Sequence, residues 1–313
     1  MSMTRNNFPQ EANSFGRQYE KDDSIDKTGF RRRARLHQSK FRCETLKCEE
    51  GRYGNRLTEE DGKKGLNFYS GFGIYKEVQK QFSTFKEGLH SDMLRSEHIP
   101  FNLFIPLNHD RDFCKKLFNT YLEGMIKTVD QIRIEWAPSP QEDYLNDRTS
   151  FDACIEFTAT DGLKGMIGIE VKYTEHEYRL QPGSKQERDI RDPSSKYYEI
   201  MEISQIYQPG MTETLISDRF RQVWRNQLLG ESILIVDRAQ FKHFVSFVIF
   251  PKGNAHFVEV SKEYMKLLKG ASKKFVPITY EEFFETARAL SPNEDFLKWI
   301  EYLSRRYIVR TDP

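Results

Sequence analysis

Two carboxylates and an ammonium stand in this chain at spacings that suit phosphoryl chemistry: Asp152, and further on the triplet Glu170-Val171-Lys172. They lie in residues 150–175, which read SFDACIEFTATDGLKGMIGIEVKYTE. In the first arm Phe151, Ala153, Ile155 and Phe157 are apolar or small and alternate with Asp152, Cys154 and Glu156. In the second, Ile167, Ile169, Val171 and Tyr173 alternate with Met166, Gly168, Glu170 and Lys172. A period of two is the strand signal, so the segment predicts a hairpin with Glu170 and Lys172 on one face, roughly 7 Å apart.

The turn sharpens the expectation. A two-residue Asp161-Gly162 turn would pair Asp152 with Val171 and set a polar face against an apolar one. A three-residue loop, Thr160-Asp161-Gly162 with Gly162 left-handed, restores face matching. Its register pairs Ala159 with Leu163, Cys154 with Gly168 and Asp152 with Glu170. Directly paired residues have Cβ atoms about 5 Å apart, and like charges so placed destabilise a sheet unless a cation compensates.

This hairpin resembles the core of the PD-(D/E)XK nuclease superfamily, the restriction-endonuclease-like fold. There an Asp on one strand and the Glu and Lys of an E-x-K triplet on the next form the site, matched here by Asp152, Glu170 and Lys172. Phe151 stands where the name-giving motif has Pro. Glu97, in LRSEHIPFNLFIPL (residues 94–107), matches a Glu that often joins the metal shell from a helix before the sheet. That phrase, with Trp224-Arg225-Asn226-Gln227-Leu228-Leu229, resembles a group of largely uncharacterised prokaryotic members, which often carry Gln at the position of Glu97. The resemblance implies an α/β fold with a central mixed sheet flanked by helices. It also implies Mg²⁺, replaceable by Mn²⁺, on Asp152, Glu170, the Val171 carbonyl and Glu97. Lys172 would act on the attacking water, and Gln222, Arg225 and Asn226 would face nucleic acid.

Composition sets bounds. The chain has 313 residues, 48 Lys and Arg against 47 Asp and Glu, and a net charge of +1, so any basic surface is local. No run reaches the length of a membrane span, no basic-then-apolar leader opens the chain, and four scattered cysteines suit a reducing cytoplasm. Cys43 and Cys48 lack a second Cys/His pair and read as free thiols.

Four segments are expected: a loose or disordered basic arm over residues 1–40, an irregular cap over 41–90, the nuclease-like core over 91–290 and a closing helix over 291–313. The arm ends in Arg31, Arg32, Arg33 and Arg35, which suit either phosphate contact or solvent. Apolar spacing predicts helices over 74–87, 110–127, 194–203, 215–238, 280–290 and 292–306. Gly230 is a candidate break in the fourth of these, and Ser291 with Glu294 is a capping box for the last. Strands are expected over 129–136, 243–250, 255–260 and 275–278. The long polar stretch after residue 175 holds Arg179, Lys185, Arg188, Arg191 and Lys196, interleaved with acids.

These features predict a metal-dependent phosphodiesterase acting on nucleic acid, DNA ahead of RNA. Family habit adds restriction, antiviral defence or repair as settings, and leaves open a homodimer or a defence-system partner protein. The alternative is an inactive relative serving as a nucleic-acid or partner-binding module. A third reading is a scaffold in which Asp152, Glu170 and Lys172 form an internal ion network.

Overall fold

The computed structural model describes residues 14–177, 179–270 and 274–309. Five strands form one sheet in sequence order: β1 (Ile126–Trp136), β2 (Phe151–Ala159), β3 (Lys164–Val171), β4 (Phe241–Phe250) and β5 (Phe275–Thr279). β1, β2 and β3 form an antiparallel meander, and β4 and β5 continue parallel to β3. Parallel neighbours need crossovers, and helices supply them. In chain order the main helices are α1 (Phe30–Phe41), α2 (Ile74–Gln81), α3 (Ile99–His109), α4 (Arg111–Asn119), α5 (Lys185–Arg191) and α6 (Lys196–Ser204). They continue with α7 (Arg221–Val236), α8 (Ala255–Leu267), α9 (Tyr280–Leu290) and α10 (Glu294–Tyr307).

The hairpin takes the face-matching register. The Ala159 amide donates to the Leu163 carbonyl at 2.8 Å, Gly162 donates to the Ala159 carbonyl at 3.0 Å, and Gly162 adopts φ +83°. Cys154 then pairs with Gly168 and Ala153 with Ile169. Ile155, Phe157, Ile167, Ile169 and Val171 meet α3, α4, α9 and α10 in one core. Cys154 and Met166 face the opposite core, built from Tyr197 of α6, Trp224 and Leu228 of α7, and Phe257 and Tyr264 of α8. Phe151 departs from the alternation and joins this second core, stacked on Trp136 at 6.4 Å. The cause lies in β1: Glu135 adopts φ +51°, which breaks its pleat and turns Trp136, and Phe151 opposite it, toward the second core.

Several boundaries differ from expectation, each for a local reason. Residues 255–260 are helical, because Asn254 caps the Phe257 amide at 3.3 Å and Phe257, Val260 and Tyr264 recur at helical spacing. The cap of α10 is Asn293, whose side chain accepts from Asp295 and Phe296 at 3.1 and 3.2 Å; Ser291 bonds to the Asn293 carbonyl instead. The 110–127 helix stops at Asn119, whose amide side chain clasps the backbone of Ile126 with two 2.8 Å bonds and starts β1 early. The 215–238 helix divides into a short turn, Thr212–Leu215, and α7. Gly230 runs through α7 unbroken; a Cβ there would meet the Phe244 ring at 2.0 Å, so glycine is what lets the helix lie against β4.

The expected loose arm is ordered from residue 14 onward; residues 1–13 lie outside the described residues. Phe30 is 2% exposed and Ala34 fully buried, in the core that also holds Trp299 and Ile300 of α10. The basic run reads as loose only when its acids are ignored. Arg35 is buried in a bidentate pair with Asp22, and Arg31 bonds Asp22 at 3.2 Å and the Thr174 hydroxyl at 3.0 Å. The segments expected at 1–40 and 291–313 therefore share one core with β3.

Phe30 is a direct check on this docking. Phe30→Ala should cost about 3–5 kcal/mol, the usual loss for a buried Phe. Thermal unfolding followed by circular dichroism should show a clear drop in Tm, whereas an undocked arm would leave it unchanged.

Candidate active site

The site lies where β2 and β3 part. Lys172, one residue past β3, donates its amide to the Ile249 carbonyl at 2.8 Å, and its carbonyl accepts from the Tyr280 hydroxyl at 2.7 Å. Backbone groups of successive strand residues point to opposite neighbours, so those of Val171 face β2. There the ladder has ended at Ala153 and Ile169, and the Val171 amide donates to Asp152 Oδ2 at 2.6 Å instead. Asp152 thus takes the place of a ladder partner, and the Val171 carbonyl lies beyond the last β2–β3 pair.

Glu170 and Lys172 form an ion pair, and Asn226 of α7 donates to the other Glu170 oxygen. They are 7%, 4% and 4% exposed. α7 places this contact because Trp224 and Leu228 anchor it in the second core and leave Gln222, Arg225 and Asn226 toward the sheet end. All three line a cleft of about 780 Å³, shared with Asp152, Glu170 and Lys172. Arg225 is not poised for a ligand: its guanidinium donates to Asp147 at 2.7 and 3.0 Å and to the Thr149 hydroxyl at 2.5 Å. Burial alone would raise the Asp147 carboxyl, yet Arg225, the Tyr197 hydroxyl and Thr149 hold it below its ordinary value. Of the five cations in the polar stretch after residue 175, only Lys185 reaches the cleft.

The electrostatics are frustrated. Burial, with Glu170 and Glu135 nearby, pushes the Asp152 carboxyl well above the usual range, against the pull of Lys172 and the Val171 amide. Glu135, on β1, is pushed up to about 7 by burial and by Glu170 and Glu97. Burial would lower the Lys172 ammonium, but Glu170, Asp152 and Glu175 hold it above its ordinary value, so it is charged at neutral pH.

Glu135 was not read from the sequence as a site residue. It is bracketed in register by Ile134–Ala153 and Trp136–Phe151, which sets it opposite Asp152. Its only sequence signal was a polar position in an apolar strand, and the β1–β2 register that gives it meaning is not written in either strand alone. Neither Glu97 nor Glu135 lines the cleft; the Glu97 carboxylate is 3.7 Å from Arg95 and acts through its charge on Glu135, whose charge acts in turn on Asp152.

The donor set fits a hard divalent cation. Asp152, Glu170 and the Val171 carbonyl offer only oxygens, the type that Mg²⁺ takes, and an adjacent cation would relieve the repulsion that lifts Asp152 and Glu135. Each Glu170 oxygen keeps a second lone pair beside its present partner. Among the described residues no three His, Cys, Asp or Glu side chains form a ready-made cage, so the carbonyl and waters would complete the shell.

Compared with known protein families, the chain matches the PD-(D/E)XK nuclease superfamily over residues 21–309. No curated protein and no solved structure matches it.

The raised carboxyls make a stability prediction whose sign is fixed. A carboxyl that holds its proton more tightly folded than unfolded loses stability as pH rises, for Glu135 between 4.5 and about 7. Asp152→Asn should therefore raise the Tm of the metal-free protein at pH 7.5, by about 2–4 °C. Adding Mg²⁺ should stabilise the wild type and not the variant. Differential scanning fluorimetry across pH, with and without Mg²⁺, reads both.

Proposed function

The chain belongs to the PD-(D/E)XK nuclease superfamily, and on that premise we propose that it is a metal-dependent nuclease that hydrolyses phosphodiester bonds of DNA. The observation that carries the reading is the meeting of Asp152, Glu170 and Lys172 at one end of the cleft, with carboxyls strained toward a cation. Asp152, Glu170 and the Val171 carbonyl are the residues to hold Mg²⁺ or Mn²⁺. A bound ion there supplies a water of lowered pKa and neutralises charge on the phosphate. Lys172, charged and held by Glu170, donates hydrogen bonds to the attacking water and to the phosphoryl oxygens rather than removing a proton. Glu135, pushed to about 7, is the carboxyl best matched to accept a proton near neutral pH. Glu97 acts behind it by raising it further. A nuclease of this family suits restriction or antiviral defence.

One observation favours the binding-module alternative: Glu170, Lys172 and Asn226 already satisfy one another. Cleavage decides between the readings. Plasmid, linear and single-stranded DNA and RNA, incubated with Mg²⁺ or Mn²⁺, should be cut by the wild type, spared after chelation and spared by Lys172→Ala. Equal cutting by both proteins would assign the activity to another site. No cutting by either, with no heat of Mg²⁺ binding in calorimetry, would leave the binding module.

The division between Glu135 and Glu97 is separable. Glu135→Gln should lower kcat by about 100-fold or more and flatten the pH–rate profile near 7. Glu97→Gln should keep kcat within about threefold and shift the same profile toward lower pH, since removing its charge lowers Glu135. Equal losses in both would place Glu97 in the metal shell.

A further inference from the structure

Four cations line the cleft, and three of them are engaged by carboxylates: Lys172 by Glu170, Arg225 by Asp147, and Lys185 by Asp189 at 2.5 Å. The fourth, Arg148, is exposed and makes no hydrogen bond or ion pair among the described residues. Its backbone, by contrast, is pinned on both sides. Asp147 accepts from Arg225, from the Tyr197 hydroxyl and from the Thr149 amide at 2.7 Å. Thr149 is buried, and its hydroxyl bonds both Asp147 and Arg225. With its amide oxygen turned inward, Gln186 of α5 accepts from the same guanidinium at 2.6 and 2.8 Å. The ion-paired network holds the loop, and the loop offers one uncommitted guanidinium to a cleft whose other three cations each face a carboxylate.

We infer that Arg148 is the phosphate anchor of this cleft, holding a phosphodiester of the bound strand beside the one that is cut. The inference rests on the nuclease reading and deepens it. A guanidinium presents a planar fork to two phosphate oxygens, and a pinned backbone reduces the ordering cost of binding. The charge of each of the other three cations is already offset by a carboxylate partner. Arg225, half-buried and bonded to Asp147 and Thr149, is a positioning residue for this loop.

The test uses the full chain, a 5′-fluorescein DNA oligonucleotide in single-stranded and duplex form, and Ca²⁺ to populate the complex without turnover. Anisotropy titrations from 50 to 200 mM KCl compare the wild type, Arg148→Gln and Arg148→Lys. Arg148→Gln should weaken binding about tenfold and lower the slope of log K against log salt by about one. Arg148→Lys should recover the slope and only part of the affinity. In Mg²⁺, KM should rise for Arg148→Gln with kcat within about threefold. Unchanged affinity and salt slope in Arg148→Gln, beside a wild type that binds and cuts, would overturn the anchor and leave the nuclease standing. A fall in kcat with KM unchanged would overturn it too, by moving Arg148 to the transition state. A wild type that neither binds nor cuts would overturn the nuclease reading itself, and the anchor with it.

Discussion

Repulsion between carboxylates on neighbouring strands shapes this end of the sheet. Asp152 and Glu170 stand across β2 and β3, with Glu135 beyond on β1, and partial burial weakens the screening that water would give them. The β2–β3 ladder does not run on through these positions. Instead it stops at Ala153 and Ile169, and Asp152 turns to the Val171 amide, which both partners one of its oxygens and opens the strands. The left-handed Glu135 then turns Trp136 and Phe151 into the second core, which seals the splay from behind. A sheet that stores repulsion at one place is ready for a cation there, and perturbed carboxyls of this kind cluster at functional sites.

Such a site needs a rigid frame, and distant parts of the chain supply it just past Lys172. Asn254, at the head of α8, donates to the carbonyls of both Tyr173 and Glu175 at 3.0 Å. Glu175 accepts from the amides of Ser96 and Tyr173 at 2.8 and 2.7 Å, and Arg31 reaches Thr174 from the N-terminal side. Tyr280, the first residue of α9, bonds the Lys172 carbonyl. The amino-terminal helix and the carboxyl-terminal helices are thus part of what aims one lysine. The same logic explains why Arg31 and Arg35, which suited either phosphate contact or solvent, engage Asp22, Asn55 and Thr174 instead.

The sequence by itself determined the hairpin. Alternation with a period of two, and a loop length that had to match polar face to polar face, decided which residues met across β2 and β3, because both are local properties of a few consecutive positions. It was equally legible from apolar spacing that Tyr280–Leu290 is a helix, to which the structure adds a capping box at Thr279 and Glu282. Where local signals were short or shared between periods, as at residues 255–260, the packing of Phe257, Val260 and Tyr264 against the sheet settled the matter. What only the tertiary structure decided was company: Glu135 beside Asp152, Arg225 saturated by Asp147, Arg148 left unpaired, and a basic arm turned into core. Charge and pairing depend on which chain-distant groups share a low-dielectric space, and that is set by the fold's long-range contacts, which no single stretch of sequence contains.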